Sequence, residues 1–228
     1  MKKNLLIASS ALAVASAASA DFVDVACTGL GAGASVSVSL NGNGYNGFAG
    51  QLNLALTNST GVDLNGSWTS YCTEIGQHIS VGGASQTYEI LDVSDLPIPG
   101  LGMGTVRADA ISRMNKFANG AQFGGNNDYA AAFQVAIWEI SNDYDGTAGS
   151  LTLSSGSLVG SVSGSIAGYL STLFGAAADT NGALANIVGL GNNSYQDQII
   201  EVPGGIPAPG ALALLGAAGI VGTRRRRA

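Results

Sequence analysis

Cys72 lies in the run Tyr71-Cys72-Thr73-Glu74-Ile75-Gly76-Gln77-His78-Ile79-Ser80-Val81. The odd positions Tyr71, Ile75, Ile79 and Val81 are apolar, and the even positions Cys72, Glu74, Gly76, His78 and Ser80 are mostly polar. In a strand these two sets face opposite ways. The alternation therefore predicts that Cys72 points to the polar side, with Glu74 and His78, which is unusual for an inert packing cysteine. A thiol so placed is available to form a bond. One partner is Cys27, the only other cysteine, because two cysteines in an exported chain are a natural disulfide pair.

Gln134 is the second residue of interest. It lies in Phe133-Gln134-Val135-Ala136-Ile137-Trp138-Glu139-Ile140. Read as a helix, Tyr129, Phe133, Ala136, Ile137 and Ile140 form one apolar face, and Trp138 sits one turn beyond Gln134. The amide is surrounded by Ala, Val and aromatic residues, so it must find a partner if it is buried.

Other chemistry is thin. The chain has one histidine, no Gly-x-Ser-x-Gly and no His-Glu-x-x-His. Asp143-Tyr144-Asp145-Gly146 resembles the opening of a calcium loop, but the bidentate Glu of such a loop is missing. No enzymatic turnover, no cofactor and no metal are expected.

The elements that must position Cys72 and Gln134 follow from periodicity. Residues 35–40 alternate, Asn41-Gly42-Asn43-Gly44 makes a turn, and Leu52, Leu54 and Leu56 share one face. Strands or hairpins are expected over 67–81 and 87–93, and a last strand over 196–202. Between them the period changes to that of helices near 104–119, 127–141 and 165–177. In the first of these, Val106, Ala110, Ile111, Met114 and Phe117 form the apolar face. The expected fold is β-rich α+β: an antiparallel β-sandwich or barrel with an inserted helical section, spanning residues 21–202.

Tyr71-Cys72 followed by Gln134-Val135-Ala136-Ile137-Trp138 resembles the thioester domains of bacterial surface adhesins. Those domains pair an aromatic-Cys motif with a Gln-x-Ala-Ile-Trp helix. Phe133 stands where that family often has Thr. The resemblance implies that the Cys72 sulfur attacks the Gln134 side-chain carbonyl and expels ammonia, leaving an internal thioester. A surface amine or hydroxyl of a protein or polysaccharide would then displace Cys72. Tyr71, Phe133 and Trp138 would shield the bond from water. Glu74 and His78 are the proton-transfer candidates by strand parity. At this stage a thioester, a Cys27–Cys72 disulfide and two free thiols all remain open.

The chain ends speak to destination. Lys2 and Lys3, an apolar run over 5–15 and Ala18-Ser19-Ala20 form a secretory signal peptide over residues 1–20. Residues 203–228 hold a proline linker, a short apolar helix and Arg224, Arg225, Arg226 and Arg227. The apolar stretch is shorter than the roughly 20 residues of a stable span. The order resembles the PEP-CTERM sorting signal, with Pro207-Ala208-Pro209 in the central motif and Ala208 where that family usually has Glu. The resemblance implies recognition by an exosortase, beside signal peptidase at the other end. It also implies transient anchoring in the inner membrane.

Without both signals the chain keeps three cations, Arg107, Arg113 and Lys116, against all 15 acids. Such a balance disfavours nucleic acid as a partner. The expectation is an exported surface or extracellular-matrix protein, with adhesion through the thioester. The alternatives are a disulfide-stapled structural matrix protein and a secreted polysaccharide-acting enzyme.

Overall fold

The computed structural model describes residues 20–98 and 102–204. The expected signal peptide and sorting tail, with Pro207, Ala208, Pro209 and Arg224 to Arg227, lie outside them, apart from Ala20, Pro203 and Gly204. Among the described residues no helix is long and apolar enough to cross a membrane.

Seven strands form one antiparallel sheet: β1 (Asp21–Leu40), β2 (Asn43–Thr57), β3 (Gly66–Cys72), β4 (Gln86–Leu91), β5 (Leu158–Ser161), β6 (Ile187–Gly191) and β7 (Gln198–Glu201). The order is β2-β3-β7-β6-β4-β1-β5, and β1 also pairs with β2. The ladders therefore return on themselves through six strands, with β5 attached to the far half of β1. Among the described residues three α-helices accompany the sheet: α1 (Gly104–Ala118), α2 (Asn127–Asp143) and α3 (Gly164–Ala178).

The long β1–β2 hairpin turns at Asn41-Gly42, both with positive φ (51° and 82°). Asn-Gly suits that geometry, and its twist matches the flanking strands. The register shifts between Cys27 and Gly29 and again between Leu30 and Gly33. Such irregularities change which residues face inward. Val23, Val25 and Cys27 accordingly face one core, while Val36 and Val38 further along the same strand face another. One hairpin thereby serves two hydrophobic cores.

The first core is aliphatic and gathers Val25, Leu54, Leu56, Tyr88, Leu190 and Ile200 from the ring of strands. The second lies among the helices and the distal hairpin, with Tyr71, Ile111, Met114, Phe133, Trp138 and Leu173. α2 packs on β1, β2 and α3, and every residue from Ala130 to Ser141 is buried. Its expected single apolar face is therefore only part of the buried surface. Asn126 caps it as the sequence suggests, its side chain accepting from the Tyr129 N–H at 3.0 Å. Asn119 ends α1 in the left-handed conformation. On α1, Ala110, Ile111 and Met114 are buried as expected, but Val106 and Phe117 are exposed.

The expectation for residues 67–81 needs correction. β3 stops at Cys72, and beyond it only Val81 makes an isolated bridge, to Cys27. Strand parity therefore ends at the residue whose orientation it was meant to fix. Cys72, Thr73, Glu74 and Ile75 are all buried in succession, which no strand alternation produces.

Candidate functional site: the Cys72–Gln134 contact

The end of β3 meets the middle of α2. The Cys72 N–H donates to Gln134 Oε1 at 3.0 Å, and Gln134 Nε2 donates to the Cys72 carbonyl at 2.6 Å. Both residues are buried. Cys72 is also in register with Gln198 of β7, so the Gln134 amide acts as a one-residue strand neighbour for the last residue of β3. The partner that a buried amide requires is the main chain of the cysteine itself.

Aromatic residues adjoin both partners in sequence, Tyr71 beside Cys72 and Phe133 beside Gln134. The Tyr71 and Phe133 rings lie 4.8 Å apart, and the Tyr71 hydroxyl donates to the Gln122 carbonyl. Trp138 is fully buried, and its ring meets Tyr45 of β2 edge-on at 5.5 Å. Burial pushes the Cys72 thiol up to about 12. The Trp138 indole N–H opposes that rise by favouring the thiolate, and the charge of Glu74 adds to it. The indole nitrogen has no acceptor in full hydrogen-bonding geometry.

Glu74 is buried beside a carboxylate that the sequence reading missed, Asp197. The Asp197 N–H donates to Glu74 Oε1 at 3.2 Å, and the Asn192 N–H donates to Asp197 Oδ1 at 2.7 Å. Gln196 Nε2 donates to the Glu74 carbonyl at 2.8 Å. Thr73 Oγ1, Glu74 Oε2 and Asp197 Oδ2 are left without partners. Burial raises both acids, Asp197 to about 7, and the Glu74 charge adds to the rise at Asp197. A neutral carboxyl is the cheaper form of such a group. The signal for Asp197 was the polar triplet Gln196-Asp197-Gln198 heading an otherwise apolar strand, where buried polar groups usually carry a reason.

The remaining candidates fall apart spatially. His78 is exposed, beyond the end of β3; its carbonyl, not its ring, accepts from the Gln196 N–H at 3.4 Å. Cys27 belongs to the ring core and Cys72 to the helical core, and both are free thiols. The Cys27 thiol donates weakly to the Gly29 carbonyl at 3.7 Å. The Cys27–Cys72 disulfide is thus not the arrangement this structure takes. Asp143 accepts from the N–H groups of Ser157 and Leu158, each at 2.7 Å, and anchors the loop before β5. Among the described residues no cluster of His, Cys, Asp and Glu is arranged to hold a metal.

The chain matches no known family model, no curated protein and no solved structure.

Proposed function

We propose that residues 21–202 form an exported surface or matrix domain whose Cys72 and Gln134 join in an internal thioester. The observation that carries this reading is the two-point bonding of the buried Gln134 amide to the Cys72 main chain. These bonds hold the amide against the residue that bears the thiol, which supports the reading. Held proximity of this kind supplies a large effective molarity to an otherwise sluggish reaction.

The step balances without a co-reactant. The Cys72 sulfur adds to Gln134 Cδ, and charge develops on Oε1. The Cys72 N–H already points at that oxygen and stabilises the charge. The Cδ–Nε2 bond breaks, and the thiol proton leaves with the amide nitrogen as ammonia. Glu74, with its raised carboxyl, is the candidate carrier of that proton. The product is neutral, which suits a pocket that makes a Cys72 thiolate costly by on the order of 4 kcal/mol. An amine then attacks Cδ, an amide forms, and its proton returns to Cys72.

The ring of strands around the first core lends support to the finer expectation of a β-sandwich or barrel, without itself being a barrel. Export through residues 1–20 and sorting by the PEP-CTERM-like tail complete the reading: adhesion or matrix building, with signal peptidase and an exosortase as processing partners. Turnover of a polysaccharide is not part of it.

A second reading is favoured by the same hydrogen bonds. Gln134 completes the unpaired end of β3, and Cys72 is an inert thiol in a structural matrix protein. Intact mass of the mature protein separates the two. The thioester reading expects the loss of one ammonia; a mass equal to that of the unmodified sequence defeats it.

A further inference from the structure

A groove of about 540 Å³ opens beside the distal β1–β2 hairpin. Its lining includes Val36, Asn46, Gly47, Asp128, Ser163 and Ile166, contributed by the hairpin and the starts of α2 and α3. Gly47 is one wall, and Tyr45 lies directly on it. A Cβ at Gly47 would stand 2.7 Å from the Tyr45 hydroxyl oxygen and 2.8 Å from the carbon that bears it. Glycine here lets the tyrosine ring rest on the backbone. Tyr45 turns an edge or face to Trp138 at 5.5 Å with an interplanar angle of 80°. Its phenol is raised chiefly by burial and then by the charge of Cys72. Tyr45 is half-buried, whereas Trp138, Cys72 and Gln134 are buried.

We infer that the groove is the route by which small molecules reach Cys72, and that the Tyr45 ring is the gate that limits their size. This rests on the proposed thioester for its use, but not for its geometry. The ring's hydrogen bond is local, its hydroxyl donating to the carbonyl of Phe48, three residues away on the same strand, at 3.1 Å; beyond it the ring rests on Trp138 and the edge of the helical core. No bond in the body of the domain must break for the ring to swing. Opening gives up the T-shaped contact with Trp138 and the burial of one half-buried ring. A slender primary amine would pass readily, and a branched or aromatic one would wait for the ring to move.

The test follows alkylation of the Cys72 thiol in the full mature chain, after any thioester has been opened with methylamine. N-ethylmaleimide and the bulkier fluorescein maleimide are compared, and modified peptides are located by mass spectrometry. Tyr45→Ala is expected to speed fluorescein maleimide at Cys72 by about tenfold or more, as removal of a local opening step should, while Cys27 is unchanged. Tyr45→Phe should restore the slow rate. Ser163→Trp, an exposed substitution at the groove, should slow both reagents at Cys72. Equal rates in Tyr45→Ala and the parent overturn the gate. So does equal acceleration at Cys27, which would mean general loosening. Rapid alkylation in Tyr45→Phe assigns closure to the hydroxyl and overturns a gate made by the ring. Indifference to Ser163→Trp overturns the route. Failure of the parent to lose ammonia is a separate result, which removes the thioester and leaves the gated thiol standing.

Discussion

Two buried cysteines sit in two cores, and their surroundings differ in kind. Cys27 lies among Val25, Leu54, Leu56 and Tyr88, with only a weak bond to a neighbouring carbonyl. Cys72 lies where a strand end, a buried amide, an indole N–H and a carboxyl pair converge. Burial raises both thiols, so burial alone does not distinguish them. The difference is in the polar groups. An aliphatic core excludes groups it cannot satisfy, because an unpaired buried donor or acceptor costs about 1–3 kcal/mol. The helical core admits several, and leaves Trp138 Nε1, Glu139 Oε2 and Gln122 Oε1 unpaired, while Glu74 and Asp197 stand between it and Tyr88 of the ring core. Unpaired buried groups are tolerated most readily where a reaction uses them.

The sharpest way to break this comparison is chemical. Methylamine should label the mature parent at Gln134, with Cys72→Ala and Gln134→Ala each abolishing labelling and Cys27→Ala leaving it intact. The reading is read out by peptide mass. Labelling that survives loss of Cys72, or disappears with loss of Cys27, erases the distinction between the two thiols.

Stability gives the next largest effect and separates packing from chemistry. Leu54→Ala in the ring should cost about 2–5 kcal/mol, the usual range for a buried leucine, and leave labelling of the folded fraction unchanged. Gln134→Ala should cost a similar amount for another reason: it strands the N–H and carbonyl of Cys72, at about 1–3 kcal/mol each. Denaturant melts of both variants check the sizes. A Gln134→Ala variant as stable as the parent would mean that the amide is not part of the framework of β3.

Acidity divides the two regions as well. Asp24, at the surface of the ring, is lowered by hydrogen bonds from Asn58 and Thr87. Glu74, Asp197 and Glu139 are raised by burial, Asp197 to about 7 and Glu139 to about 8. A carboxyl raised in the folded state contributes stability that is full below its unfolded value and is lost as pH rises through its folded value. The melting temperature should therefore fall between pH 5 and about pH 8. Glu139→Gln keeps an acceptor for the Thr152 N–H, bound now at 2.8 Å, and removes the charge. It should recover about 1–3 kcal/mol at pH 8 and nothing at pH 4. A melting temperature that is flat with pH in the parent would show these acids to be solvated.

Much of the frame was legible in the chain. Period-two alternation located β1 and β2, and Asn-Gly located their turn. Helical spacing locates all three helices within a few residues. The pairing of Cys72 with Gln134 rested on a motif. Alternation does not set the direction of Cys72, because the strand ends there. β6 escaped notice because Gly189 and Gly191 interrupt its alternation. Those glycines are needed where they stand: a Cβ would lie 2.8 Å from Leu96 at the first and 2.7 Å from Leu91 at the second. β5 is four residues long, too short for any period to declare itself. Asp197 escapes notice because the acid it faces, Glu74, is distant in sequence, and the triplet Gln196-Asp197-Gln198 marks a polar strand start without naming that partner.

The smallest effect tests whether the helix alone positions the amide. Asn126 caps α2 through Tyr129 N–H, and its side-chain nitrogen donates to the Tyr169 hydroxyl of α3 at 3.1 Å. Asn126→Ala removes both and should cost about 1 kcal/mol, as cap deletions do. Gln134 lies two turns further on, inside a stretch buried on all sides, so fraying of the first turn should not reach it. The ring core should not register the change at all. Amide exchange is the suitable measurement. Faster exchange is expected at Tyr129 and its immediate neighbours, with Gln134 and the strands of the ring unaltered. Methylamine labelling should keep its rate within about twofold, since a local opening of the first turn is not the opening that exposes the site. Exchange that spreads to Gln134 would show that the amide is held by the start of the helix. The surrounding core would then not be what fixes it against Cys72.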